Sequence, residues 1–204
     1  MYHGERLNSI THLVGTGLAI VGSAVLVHHA SVQGDPWKIA AFSAFGFGLV
    51  VLYAASTLYH SVKGRAKGWL RKFDHAAIYL LIAGSYAPFL LVSLRGAFGW
   101  TLFTIVWLMA LQGIWRSCTR KDGKDPSPIP HLIMGWMGVT AVWPLVEKLG
   151  PVGITWLAIG GALYTIGVLF YMNDTRWRHA HGIWHLFVMG GSASHFVTVL
   201  FFVQ

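Results

Sequence analysis

A chain of 204 residues in which 55% are hydrophobic and only 11% charged is far from the composition of a water-soluble domain, where about a quarter of residues carry charge. The net charge of +8 would suit a nucleic-acid partner, but the cations fall in short gaps between apolar stretches, where membrane topology accounts for them, so that partner is excluded. The lone Cys118 excludes an intramolecular disulfide and a thiolate-rich metal site.

Stretches free of Asp, Glu, Lys and Arg, each long enough to cross a hydrocarbon core (roughly 17–25 residues), follow one another along the chain. They are Ile10–Val27, Ile39–Tyr59, His75–Leu94, Gly96–Trp115, Ile129–Val146, Gly150–Met172 and His179–Val203. The first follows "MYHGERLNSI", where Glu5 stands beside Arg6 in place of a basic cluster, and its apolar run exceeds a usual signal core. It is therefore read as a membrane helix and not as a signal peptide. No stretch shows the alternation over about 10 residues that a barrel strand needs. The 24 glycines are ordinary in lipid, where small residues let helices approach closely. The sequence contains no low-complexity segment and no repeat between halves of the transporter kind. The expectation is one domain over 1–204, an all-α integral membrane protein built as a seven-transmembrane-helix bundle.

Charge then orients the bundle, because short loops rich in Lys and Arg stay in the cytoplasm. With seven spans, one side holds Arg6, then Lys63, Arg65, Lys67, Arg71 and Lys72, then Arg116, Arg120, Lys121 and Lys124, then Arg176 and Arg178. The other side holds Lys38, Arg95 and Lys148. The N-terminus is therefore expected inside and the C-terminus outside, in a multi-pass protein of the inner (plasma) membrane whose basic loops suit contact with membrane lipids.

Polar residues at the inner rim converge. Span two ends in "STLYH", with Ser56 and His60 at i and i+4 on one face. Span three opens after "RKFDH", which sets Asp74 at the same depth. Span seven opens with "HGIWH", which puts His181 and His185 on one face within two turns. Imidazole is a preferred nitrogen ligand of zinc, and i, i+4 is the spacing at which two histidines of one helix reach one ion. His181 and His185 thus supply two ligands and His60 a third from another helix. A carboxylate near hydrocarbon is costly and takes a partner; for Asp74 the alternative partners are Arg71 and Lys72 in the adjoining loop. Ser56 could equally bond a helix carbonyl one turn back. His75, His131 and His179 read as interfacial residues with rings among headgroups, as do His28 and His29 at the other end.

Together "STLYH", "KFDHAAIYLLIAGSYAP", "HGIWHLFVMGGSASHF" and the leading "ERLNSITHLVG" resemble the bacterial hemolysin III family, relatives of the progestin and adipoQ receptors, over essentially the whole chain. The resemblance implies a seven-helix protein with its N-terminus inside and zinc near the cytoplasmic side. Its ligands would be His60, His181 and His185, with Asp74 holding a zinc-bound water and Ser56 beside it. Glu5, Asn8 and His12 match the family's first-helix motif; their spacing sets them on one face, and no role follows from it.

The wider superfamily includes alkaline ceramidases, which implies an enzyme reading. Three neutral imidazoles leave an open fourth position, as in catalytic sites, where a water is acidified. Asp74 would take its proton, Ser56 would bond the developing oxyanion, and the substrate would be a lipid amide or ester. The alternative is a non-enzymatic membrane-homeostasis or cytolytic factor with structural zinc. A third reading, a receptor-like or ion-conducting protein, has little support, because a conductor needs polar residues along its full depth and the mid-bundle offers mainly Ser85, Ser192, Ser194 and His195. Nothing in the sequence identifies a substrate or an oligomeric state.

Overall fold

The computed structural model of the chain describes residues 4–120 and 126–204, and among them every regular element is helical. Lys121 and Lys124, counted above with the cytoplasmic cations, lie outside the described residues. The helices are α1 (Arg6–Gln33), α2 (Pro36–Ser61), α3 (Arg65–Pro88), α4 (Ala97–Thr119), α5 (Ile129–Trp136), α6 (Val142–Met172) and α7 (Ala180–Phe202). A π-helical turn, Phe89–Ser93, extends α3, and a 3-10 turn, Met137–Ala141, joins α5 to α6.

Helix ends follow local chemistry. Gly34 closes α1 in the left-handed region at φ 71°, where the missing Cβ removes the steric cost. The Asp35 side chain then accepts from the Trp37 amide at 2.8 Å, and Pro36 opens α2 where its missing N–H would be idle anyway. One tight "GDPW" corner therefore stops one helix and starts the next.

Six segments are long and apolar enough to cross a membrane: Arg6–Gln33, Pro36–Ser61, Arg65–Ser93, Ala97–Thr119, Ile129–Met172 and Ala180–Phe202. The fifth runs for 44 residues, about 66 Å if straight and far beyond a core of about 30 Å. It is not straight. Gly150 leaves helical geometry at φ 67°, ψ 175°, just before Pro151. Trp136 Nε1 donates to Thr165 Oγ1 at 3.1 Å, 29 residues away, and the Tyr171 hydroxyl reaches the Pro126 carbonyl at 3.4 Å. An unbroken helix would hold the first pair about 44 Å apart. The segment folds back on itself at Gly150.

In sequence order, α1 packs on α2, α2 on α3 and α3 on α4; α6 packs on α7, and α7 returns to α1. Backbones approach closely where glycines allow it. A Cβ on Gly84 would sit 2.7 Å from the Ala44 carbonyl oxygen, so α2 and α3 could not keep this distance with a larger residue there. The interior holds Leu26, Phe42, Phe45, Leu90, Val106, Met134 and Val199. Leu18, Val21, Phe47, Leu108, Trp143 and Phe201 point outward, as expected where the solvent is lipid. At the break after α5, the Tyr86 hydroxyl lies 2.9 Å and 2.7 Å from the carbonyls of Met134 and Gly135 and accepts from the Gly138 amide at 2.8 Å. It thus satisfies groups that the loss of α-helical pairing releases.

Candidate metal centre

The starts of α1, α3 and α7 and the ends of α2 and α6 share one end of the bundle. There His60, from the last turn of α2, meets His181 and His185, from the first two turns of α7. Each offers one ring nitrogen, and the three lie within 4.8 Å of one another. The ring centroids form a nearly regular triangle with sides of 5.0, 5.0 and 4.8 Å. His60 and His185 are buried and His181 is half-buried.

The far side of each ring is already engaged. His60 Nδ1 lies 2.6 Å from Glu5 Oε2, and His181 Nδ1 lies 3.1 Å from Asp174 Oδ2. His185 Nδ1 lies 3.1 Å from the Asn8 carbonyl and 3.2 Å from Thr11 Oγ1. Thr11 gives its own proton to the Leu7 or Asn8 carbonyl, so its oxygen accepts from His185. Facing oxygen acceptors, all three imidazoles carry the proton on Nδ1 and keep the Nε2 lone pair. That is the orientation by which metal-binding histidines are held. On His60, Nε2 is buried and has no hydrogen-bond partner among the described residues. Such an orphan costs about 1–3 kcal/mol, and a cation at the centre of the triangle would remove that cost. Three neutral nitrogen donors suit a borderline divalent ion such as zinc. The residues therefore fit a metal.

An outer ring supports these contacts. Asn8 Nδ2 donates to Glu5 Oε2 at 2.7 Å and Lys67 Nζ to Oε1 at 3.1 Å. Burial opposes ionisation of the Glu5 carboxyl, but the hydrogen bonds from His60, Asn8 and Lys67 outweigh it and hold its pKa below the usual carboxylate range. His12 stacks on His185 at a centroid distance of 3.6 Å and meets Tyr53 edge-on at 5.0 Å. Neither His12 ring nitrogen has a hydrogen-bond partner among the described residues. Glu5, just before α1, and the face of α1 that carries Asn8 and His12 form the back wall of the triangle. Sequence reasoning missed Asp174, Thr11 and Lys67; the one available signal was a carboxylate seven positions before His181.

A cavity of about 300 Å³ opens from this triangle into the bundle. Ser56, Asp74, His181 and His185 line one end, with His12, and the wall then turns apolar toward Tyr164 and His195. Asp74 and Ser56 are both buried, and Ser56 Oγ has no hydrogen-bond partner among the described residues. All five site residues expected from sequence come to one end of the bundle. Lys72, one alternative partner for Asp74, donates to the Cys118 carbonyl on α4 at 2.9 Å. His131 departs from its expected place among headgroups: its ring packs on Tyr79 at 4.0 Å between α3 and α5, with Nε2 buried. Mid-bundle polar groups are tied to one another. Tyr53 donates to Ser192 Oγ at 2.7 Å, Tyr164 meets the same oxygen at 2.8 Å, and Ser194 donates to the Trp156 carbonyl at 2.6 Å.

The chain matches the family model described as haemolysin-III related over residues 1–196. It is 42% identical over 201 residues to Hemolysin-3 of Bacillus cereus, covering 98% of this chain and 91% of that protein. It is 43% identical over 200 residues to a Hemolysin-3 homolog of Bacillus subtilis (strain 168), covering 97% and 93%. A human relative, monocyte to macrophage differentiation factor, is 34% identical over 200 residues, covering 94% and 81%. The chain belongs to the haemolysin-III related family of membrane proteins.

Proposed function

We propose that this haemolysin-III related chain is a zinc-dependent hydrolase of lipid amides or esters, working at the cytoplasmic end of a seven-span bundle. The observation that carries the reading is the cavity: the candidate ligands His181 and His185 share it with Asp74 and Ser56, and most of its remaining wall is apolar, with His12, His75, His131 and His195 among the exceptions. A purely structural site has no need of a hollow beside it. Held by His60, His181 and His185, zinc would supply a Lewis acid that lowers the pKa of water to about 7. The protein's own groups do the rest. Asp74 accepts a proton from water at the mouth of the cavity and returns it to the leaving amine or alcohol. Ser56 Oγ–H, without a partner among the described residues, is available to donate to the oxygen that gains charge. Glu5, Asp174 and the Asn8 carbonyl hold the imidazoles still, and the apolar wall accepts an acyl chain and keeps bulk water out.

Two further elements belong to this proposal. The fold-back at Gly150 makes two crossings of the 44-residue segment, which brings the total to seven. The distribution of basic residues then sets the N-terminus inside and the C-terminus outside. The experiment that tests the function measures metal content and hydrolysis of a panel of lipid amides and esters on one purified sample. Zinc at about one per chain with no hydrolysis of any of them would replace this reading with its alternative, a non-enzymatic membrane factor in which zinc ties α2 to α7.

A further inference from the structure

Two polar side chains sit in the wall of the metal cavity far from the histidine triangle. Tyr164 and His195 line the same hollow as His185, and ten residues of α7 separate His185 from His195, about 15 Å along the helix. Around them the wall is apolar, formed by Ile154, Leu157, Ala158 and Val188. Polar groups at such depth are costly unless they find partners, and a ligand chain of methylenes alone has none to offer.

The hydrogen bonds of this pair do not close. Tyr53 donates to Ser192 Oγ at 2.7 Å, and the Tyr164 hydroxyl lies 2.8 Å from the same oxygen. Ser192 accepts from Tyr53, so its own proton goes to Tyr164, the other hydroxyl within reach among the described residues. The Tyr164 proton is then left over. His195 Nε2 lies 3.3 Å from the Leu157 carbonyl, which places the ring proton on that nitrogen and leaves Nδ1 an acceptor. Nδ1 is buried and has no hydrogen-bond partner among the described residues. A Cβ on Gly160 would collide with this ring, so α6 fixes where it sits. The Tyr164 and His195 rings meet edge-on with centroids 5.4 Å apart. One spare donor and one spare acceptor therefore stand side by side. Joining helices accounts for Tyr53 and Ser192, but it leaves this second pair unexplained.

A hydroxyl accepts from one such group and donates to the other. We propose that the middle of the cavity is a subsite for a hydroxyl carried partway along an acyl chain, with Tyr164 donating to its oxygen and His195 Nδ1 taking its proton. The subsite rests on the reading of the hollow as an acyl-chain pocket, and it names the chain selected: a hydroxylated one over a plain one. Sites built to bond a ligand hydroxyl reject the analogue that lacks it, because their own polar groups are then left unpaired.

The test measures binding, not turnover. The full chain in detergent is titrated with octadecanoic acid and with hydroxyoctadecanoic acids bearing the hydroxyl near the carboxyl, at mid-chain or at the methyl end. Bound ligand is counted by native mass spectrometry. Partition into an apolar pocket alone favours the plain acid, since a hydroxyl must give up its water. The mid-chain isomer should instead bind about tenfold or more tighter than the plain acid and the other isomers, the worth of a net hydrogen bond. Tyr164→Phe, which keeps the ring, should cut that preference to within about twofold, with metal content unchanged. Ser194→Ala, on α7 but outside the cavity wall, should keep it. Equal binding of the plain acid and every isomer, the result expected if a water fills the gap, would overturn the proposal, and so would a preference that persists in Tyr164→Phe. The isomer comparison uses the unaltered chain and stands even if a variant does not fold. A mid-chain preference without any hydrolysis would remove the enzyme and keep the subsite; hydrolysis without the preference would do the reverse.

Discussion

Glu5 Oε2 and His60 Nδ1 lie 2.6 Å apart, and this contact joins the first turn of the bundle to a candidate metal ligand 55 residues later. The carboxylate fixes which His60 nitrogen carries the proton, and so which one is free for a metal. It gives the residue before α1 a function that spacing alone did not disclose.

Glu5→Gln keeps the shape and an acceptor but removes the charge. Metal affinity, measured by competition with a chelator, should fall about 10–100-fold, the range for loss of a partner behind a ligand. Unchanged retention would show that His60 is oriented by packing alone.

Removing a ligand should do more. In His181→Ala, metal analysis of purified protein should find most of the roughly one zinc per chain gone, since two protein nitrogens seldom hold zinc against water. Full occupancy in a chain lacking His60, His181 and His185 together would end the case for this site.

Asp74 separates chemistry from structure. On metal-saturated protein, Asp74→Asn should lower lipid amide or ester hydrolysis by roughly 10²–10⁴-fold, as for loss of a general acid–base group, with melting temperature followed to exclude unfolding. Undiminished turnover would remove Asp74 from the role of base.

Orientation is open to reporters. A fusion after Gln204 should be active only if the reporter works outside the cytoplasm, and one inserted at Gly123 only if it works inside. A cytoplasmic C-terminal reporter would mean that the fold-back at Gly150 does not return the chain across the membrane.

That the chain is all-helical with membrane-competent segments was legible because hydrocarbon tolerates few charges, but the ends of those segments were not. The run from Arg65 to Lys72 forms the first two turns of α3, since helical hydrogen bonds continue past the edge of the lipid while a charge-based boundary stops there. The histidine triangle was legible in part: i, i+4 spacing on α7 is local geometry, and shared depth paired it with His60. The contacts of Glu5 with His60, of the Asn8 carbonyl with His185 and of His12 with the same ring depend on how α1 leans against α2 and α7. No local periodicity encodes that. Asp174 escaped because it sits in the turn between α6 and α7, where a carboxylate reads as ordinary loop. Glu147 and Lys148 marked a break between spans five and six, whereas the corner at Gly150–Pro151 is a finding of the structure and shows in Trp136 meeting Thr165.

The closure of α7 onto α1 has a consequence for biogenesis. Glu5, Asn8 and His12 leave the ribosome well before His181 and His185. During synthesis the polar face of α1 therefore enters the bilayer without the partners that will cover it, and a chain stalled before Ala180 holds one histidine of three. With two of its three candidate ligands on α7, the triangle cannot assemble until that helix has been made, so a product cut short before it leaves the polar face of α1 uncovered.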